Sequence, residues 1–114
     1  MSSDLDELSL IFQALAHPVR RTVLEHLIDG KASVSELTEL LKIKGPMMTK
    51  HLRILEKAKL INRNAVAQHR FSQLNPDSFK EVNNWLEKYR DLWLGRFERL
   101  EDLYSKSIKP KENE

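Results

Sequence analysis

Ser33-Val34-Ser35-Glu36-Leu37-Thr38-Glu39-Leu40-Leu41-Lys42-Ile43-Lys44-Gly45-Pro46-Met47-Met48-Thr49-Lys50-His51-Leu52-Arg53-Ile54-Leu55 is the stretch whose reading decides the fold. Ser33 and Glu36 stand at the spacing of a capping box, in which the hydroxyl accepts from the third helical amide and the carboxylate reaches back to the cap. Val34, Leu37, Leu40 and Leu41 then recur with helical period, and the segment ends around Lys42. Ile43-Lys44-Gly45 leaves room only for a tight connection. Pro46 restarts a helix, because its missing N–H costs nothing in a first turn. Met48, Leu52, Leu55 and Ala58 share one side of that second helix. Two short helices joined by about three residues, the second longer than the first, form a helix-turn-helix unit.

Working outward toward the N-terminus, Asp4-Leu5-Asp6-Glu7 predicts another capping box, with Leu5, Leu8, Phe12 and Leu15 as one amphipathic stripe. His17-Pro18 stops that helix and starts the next, which runs through Val19, Val23, Leu24, Leu27 and Ile28 to Asp29-Gly30. On the C-terminal side, residues 60–63 and 68–74 alternate in the manner of two short strands, with Asn64-Ala65-Val66-Ala67 as the hairpin tip. Asn75-Pro76 opens a last helix with the stripe Phe79, Val82, Leu86, Tyr89, Trp93, Phe97, Leu100 and Tyr104. A helix of about 28 residues is about 42 Å long, more than a domain of this size can cover. The expected architecture is mainly α, with five helices and a small two-stranded β-wing, in one domain over residues 1–104. Residues 105–114, with Ile108 as their only large apolar side chain, are expected to be a disordered tail.

The 114 residues leave room for little beyond one domain, and the absence of cysteine removes disulfides, thiolate metal sites and cysteine nucleophiles. No run of apolar residues is long enough to cross a membrane, and the N-terminus lacks the pattern of a secretory signal, so a cytoplasmic protein is expected. The formal charge of +2 hides an asymmetry: residues 42–70 hold eight basic residues and one acid, Glu56, whereas the rest of the chain is net acidic. A basic segment in an acidic frame suits a polyanion partner read by that segment, although charge alone fits a solvated lysine-rich face equally well.

Helix, helix, helix-turn-helix, wing, long helix is an order that resembles the ArsR-type winged helix-turn-helix repressors of bacteria, over roughly residues 8–104. Three stretches carry the resemblance: Ala14-Leu15-Ala16-His17-Pro18-Val19-Arg20-Arg21; the two helices quoted above, with Pro46-Met47-Met48-Thr49-Lys50-His51-Leu52-Arg53-Ile54-Leu55 as the reading helix; and Lys59-Leu60-Ile61 with residues 70–76. The resemblance implies sequence-specific binding of double-stranded DNA by a homodimer built through the first and last helices. The residues agree, because a stripe containing Trp85, Trp93 and Phe97 is a liability on a monomer and a second copy would bury it. The expected dimer contacts are Leu5, Leu8, Phe12, Trp85, Tyr89, Leu92, Trp93, Phe97 and Leu100.

With Met48, Leu52 and Leu55 inward, Met47, Thr49 and Lys50 become the candidates for base edges in a major groove, and Arg53, Lys57 and Lys44 for phosphate. In the wing, Arg63 and Arg70 are the candidate contacts, beside Gln68 and His69. Ala67-Gln68 stand where related repressors often have Gly-Arg, so the tip is less basic than the family pattern. His51, next to Leu52 and Leu55, reads as a hydrogen-bonded packing histidine.

Members of this family that sense arsenic or cadmium carry Cys-Val-Cys where this chain has Ser33-Val34-Ser35, and those that sense zinc or nickel place histidines on the last helix, where this chain has none. No metal and no cofactor is therefore expected, and the resemblance is to the branch that does not sense metal. A small apolar molecule at the dimer seam, a protein partner or the regulator's own concentration remain open as signals. Neither a Gly-rich phosphate loop nor a nucleophile motif is present, so catalysis is not expected. The alternative classes are a winged-helix module for protein contacts, a sequence-blind nucleic-acid binder, and an activator in place of a repressor.

Overall fold

The computed structural model describes residues 6–108, and for residues 96–98 and 106–108 it describes the backbone alone. The elements in chain order are α1 (Glu7–Leu15), α2 (Pro18–Leu27), β1 (Ala32–Ser33), α3 (Val34–Leu41), α4 (Gly45–Lys57), β2 (Ile61–Val66), β3 (His69–Leu74) and α5 (Pro76–Ile108). They fall into two units, one ending at Val82 and one beginning at Asn83.

The first unit is built on the expected helix-turn-helix. Ser33 caps α3 with both arms of the capping box in place: the Glu36 amide donates to Ser33 Oγ at 3.1 Å and the Ser33 amide donates to Glu36 Oε1 at 2.7 Å. The backbone bond that Ser33 gives Glu36 holds its carboxyl below the usual carboxylate range. Lys42 closes α3 in the left-handed region, at φ 55°. Pro46 lies in the first turn of α4. Met48, Leu52 and Leu55 are completely buried and Ala58 nearly so, and with Leu37, Val23, Leu24, Leu27, Leu60 and Ile61 they make one core. Leu40 and Ile28 depart from their expected stripes, at 51% and 71% exposed. Ile28 is the C-cap of α2, one residue beyond the last buried residue of the helix, Leu27.

Five further expectations are corrected. The N-cap of α1 is Asp6, whose carboxylate accepts from the Ser9 amide at 2.7 Å; Asp4 and Leu5 lie outside the described residues. The inner face of α1 is Ile11 and Ala14, with Leu10 and Leu15 packed beside them, while Phe12 is 39% exposed. The segment is apolar over more than half its circumference, so periodicity does not fix its rotation. Ala14, the smallest apolar residue, sets it by letting α1 approach the core.

The wing is a three-stranded antiparallel sheet in the order β1-β3-β2, with Ala32 opposite Ser72 and Ser33 opposite Phe71. A two-residue strand carries no alternation that a sequence can reveal. The β2–β3 hairpin runs further than expected, with Val66 opposite His69, so the tip is Ala67-Gln68 rather than residues 64–67. Ala67 there takes φ 58°, the left-handed conformation a glycine would adopt without strain. Finally, α5 continues past Tyr104 to Ile108, so residues 105–108 are helical rather than part of a tail.

Candidate nucleic-acid interface

α4 has two faces. Its buried side is the completely enclosed trio Met48, Leu52 and Leu55. Opposite them Lys50, Arg53 and Lys57 are exposed, Met47 is 49% exposed, and Thr49 is half-buried at the edge. Lys44, the N-cap of α4, makes no side-chain cap and is exposed. Six of the expected contact residues thus lie on the outer side of α4, at its edge or at its N-cap.

His51 is 7% exposed and sits in a cluster that fixes α4 against α1 and α2. Arg20 donates from Nε to the Ala14 carbonyl at 2.7 Å and from Nη2 to the Gln13 carbonyl at 3.1 Å. Its Nη1 lies 3.2 Å from His51 Nδ1. The neighbouring Arg21 donates to the Leu15 carbonyl at 2.7 Å. These two guanidinium groups thus bond the last carbonyls of α1, of which that of Gln13 also accepts from the Ala16 amide. His17 caps α2, its Nδ1 accepting from the Val19 amide at 3.1 Å, and its ring lies 4.6 Å from that of His51. Burial first, then the neighbouring charges of His17, Arg20 and Lys50, pull the His51 imidazole below its ordinary range, so it stays neutral. The reading of His51 as a packing histidine fits this geometry. The role of Arg20 is not among the sequence-based expectations. The available signal was an arginine set just after a helix end, within reach of its last carbonyls.

The wing arginines differ from each other. Arg70 is exposed on β3. Arg63, expected as a wing contact, has a side chain only 9% exposed, and its Nη1 lies 3.9 Å from Glu56 Oε1. Its position on β2 explains this, because residues two apart share a face and Arg63 follows the buried Ile61. It therefore faces the helices.

The second unit is the rest of α5. Leu86, Tyr89, Leu92, Trp93, Leu100, Leu103 and Tyr104 are 44–69% exposed. Trp85 is half-buried, with its ring 5.1 Å from that of Tyr89. The side chain of Phe97 lies outside the described residues, and Leu8 on α1 is half-buried.

Among the described residues no group of three or more His, Asp or Glu side chains is placed to hold a metal ion, and no helix is long and apolar enough to cross a membrane.

A family model described as a helix-turn-helix domain matches residues 15–64, from the end of α1 to the middle of β2. The chain is 31% identical over 78 residues to the HTH-type transcriptional regulator Rv2034 of Mycobacterium tuberculosis, covering 68% of this chain and 73% of that protein. It is 29% identical over 76 residues to the transcriptional repressor SdpR of Bacillus subtilis, covering 67% of this chain and 84% of that one. Among solved structures, that of an ArsR family transcriptional regulator superposes with a TM-score of 0.70 at 37% identity, covering 76% of this chain and 90% of that one. Sequence, fold and the two-faced reading helix agree, and the chain belongs to the ArsR family of winged helix-turn-helix transcriptional regulators.

Proposed function

We propose that the protein is a homodimeric repressor that occupies an inverted-repeat operator, with α4 of each protomer in a major groove. The observation that carries this reading is the division of α4. Three completely buried apolar residues lock it to the core, while Met47, Lys50 and Arg53 stand free on the opposite side. Lys50 is suited to guanine O6 and N7, and Met47 to a thymine methyl. Arg53, Lys57 and Lys44 are suited to phosphate and so to setting register. The apolar surface of α5 supports a second copy as partner, since a two-fold pair presents two reading helices to two half-sites. With about four phosphate contacts per protomer, log K should fall with log salt at a slope of about −7.

In vitro selection of DNA sites with the purified protein tests the proposal, and an imperfect inverted repeat is the expected product. Lys50→Ala and Arg53→Ala should each weaken binding to the selected site severely while leaving the thermal melt in place. Full-strength binding by both would refute the assignment of α4. Salt-dependent binding with no sequence preference would favour a sequence-blind nucleic-acid binder instead.

A further inference from the structure

Between the first turn of α3, Thr49 of α4 and the wing lies an open notch of about 350 Å³, lined by Ser33, Val34, Ser35, Thr49, Arg63 and the Gln68–Arg70 segment. We infer that this notch is a seat for one DNA backbone phosphate in each half-site, with Arg63 as its buried cation. The inference rests on the reading of α4 as the DNA-facing helix.

Three independent features converge on an anion there. The first is the start of α3. Of the four amides that a helix leaves open at its beginning, the capping box occupies those of Ser33 and Glu36. The amides of Val34 and Ser35 have no partner within the helix, and both residues line the notch. Amides at the positive end of a helix dipole favour an anionic oxygen.

The second feature is Arg63. Its side chain is nine-tenths buried, and its Nε has no hydrogen-bond partner. Directly opposite it across the strands is Ser72, whose buried Oγ likewise has none. The ion pair with Glu56, at 3.9 Å, is too long for a hydrogen bond. A buried guanidinium left incompletely paired is costly, and its persistence calls for a ligand that completes it.

The third feature is the charge of the lining. Arg70 shares the sheet face of Arg63, two pairs further along the ladder, and contributes a second cation at the rim. Thr49 supplies a hydroxyl, and no carboxylate lines the notch. Because its walls are the reading helix and the wing, an anion held here belongs to whatever α4 reads. On that ground the occupant is a phosphodiester of the duplex. Thr49 then serves the backbone, leaving base edges to Met47 and Lys50.

Two measurements test this without depending on each other. In the first, inorganic phosphate is titrated into the full-length protein alone while amide resonances are followed by NMR. Weak, saturable shifts of the Val34 and Ser35 amides and of Arg63 Nε–H are expected, and they should vanish in Arg63→Gln. No response at these groups would overturn the seat whatever the protein does with DNA.

In the second, the selected operator carries a single neutral methylphosphonate, scanned across each half-site. One position per half-site should weaken the unmodified protein about tenfold and leave Arg63→Gln and Thr49→Val indifferent. Arg63→Gln should also lower the magnitude of the salt slope by about 2 for the dimer, the loss of one phosphate per half-site. Thr49→Val changes little in shape, so its agreement with Arg63→Gln excludes a misfolded wing as the cause.

Wild-type affinity and slope in both variants, on an operator that Lys50→Ala no longer binds, would overturn the inference and leave the DNA reading intact. A protein that selects no operator but binds inorganic phosphate tightly would overturn both, making the notch a site for a free phosphate compound.

Discussion

Replacing Arg20 by alanine removes a side chain that joins three elements, and the structure allows the loss to be apportioned. The bond from Nε to the Ala14 carbonyl, at 2.7 Å, is part-buried, and Ala14 itself is completely buried. A hydrogen bond from a charged donor in such a place contributes about 1.5–3 kcal/mol, and water does not easily replace it. The bond to the Gln13 carbonyl, at 3.1 Å, is exposed and counts for little, because solvent takes its place. The contact with His51 Nδ1 at 3.2 Å is part-buried, and its loss leaves a neutral acceptor in a nearly closed site, worth about 1 kcal/mol. Arg20→Ala should therefore destabilise the first unit by about 3 kcal/mol. With a urea slope of about 1–2 kcal/mol per molar, typical of small domains, the unfolding midpoint should drop by about 2 M. Arg20→Lys keeps the charge but not the planar fork, so it should recover only the strongest bond and fall between the two. A second readout is the His51 titration followed by NMR. With Arg20 gone, one of the charges opposing protonation is removed, and the midpoint should rise while remaining depressed by burial and by His17. An Arg20→Ala midpoint within about 0.3 M of wild type, or an unmoved His51 titration, would refute the account of this cluster.

The remaining predictions concern pH, capping and assembly. The folded pKa of His51 lies below its ordinary value of 6.5, so the unfolded chain binds the extra proton first. Stability from this group is complete above that value and is lost as pH falls through the folded pKa, so melts at pH 5.5 should be less stable than at pH 7.5. His51→Gln should flatten that difference. Ser33→Ala removes the cap of α3 and should cost about 1 kcal/mol in urea unfolding; Ser33→Asp, which still accepts from the Glu36 amide, should restore most of it. Trp93→Glu and Leu100→Glu place charge on residues already 57% and 64% exposed, so each protomer should stay folded. Sedimentation should then report monomers, and operator affinity should fall by roughly a hundredfold as the link between half-sites is lost. Dimers of undiminished stability would show that α5 is not the seam.

How far the sequence led depended on how local the deciding physics was. The capping box of α3 and the inward trio of α4 depend on residues three and four apart, and both were legible. So was the exit into α5, where the Asn75 side-chain amide donates to the Lys59 carbonyl at 3.0 Å and Pro76 begins the helix. The rotation of α1 was not, because it is set by what α1 packs on and the segment is apolar over more than half its circumference. β1 was invisible because two residues form no pattern; they become a strand only when β3 arrives some 40 residues later. The burial of Arg63 is the instructive departure. Its residue type argued for the surface, while its parity with Ile61 placed it inside, and parity prevailed since a strand fixed by Leu60 and Ile61 cannot turn one side chain outward. Of the proposed contact residues, the outward position of those on α4 was readable because a helix with one buried face leaves only one other. The notch beside them was not, since it arises from groups brought together from α3, α4 and the wing.

Ser33 belongs to two structures at once. Its main chain sits opposite Phe71 in the sheet, while its hydroxyl closes the first turn of α3. The hairpin is therefore held at its middle, at Phe71 and Ser72, and the holding residue Ser33 is the same one on which the helix is seated. A duplex that pushes the wing aside cannot bend it freely; the load passes through β1 into α3 and on to the α3–α4 connection. Such a protein meets its operator as a stiff template, and the compliance needed for a close fit must come from the DNA. Operators whose flexible base steps lie under the wing would then be favoured over stiffer ones of equal contact sequence, a preference set by mechanics rather than by any side chain that touches a base.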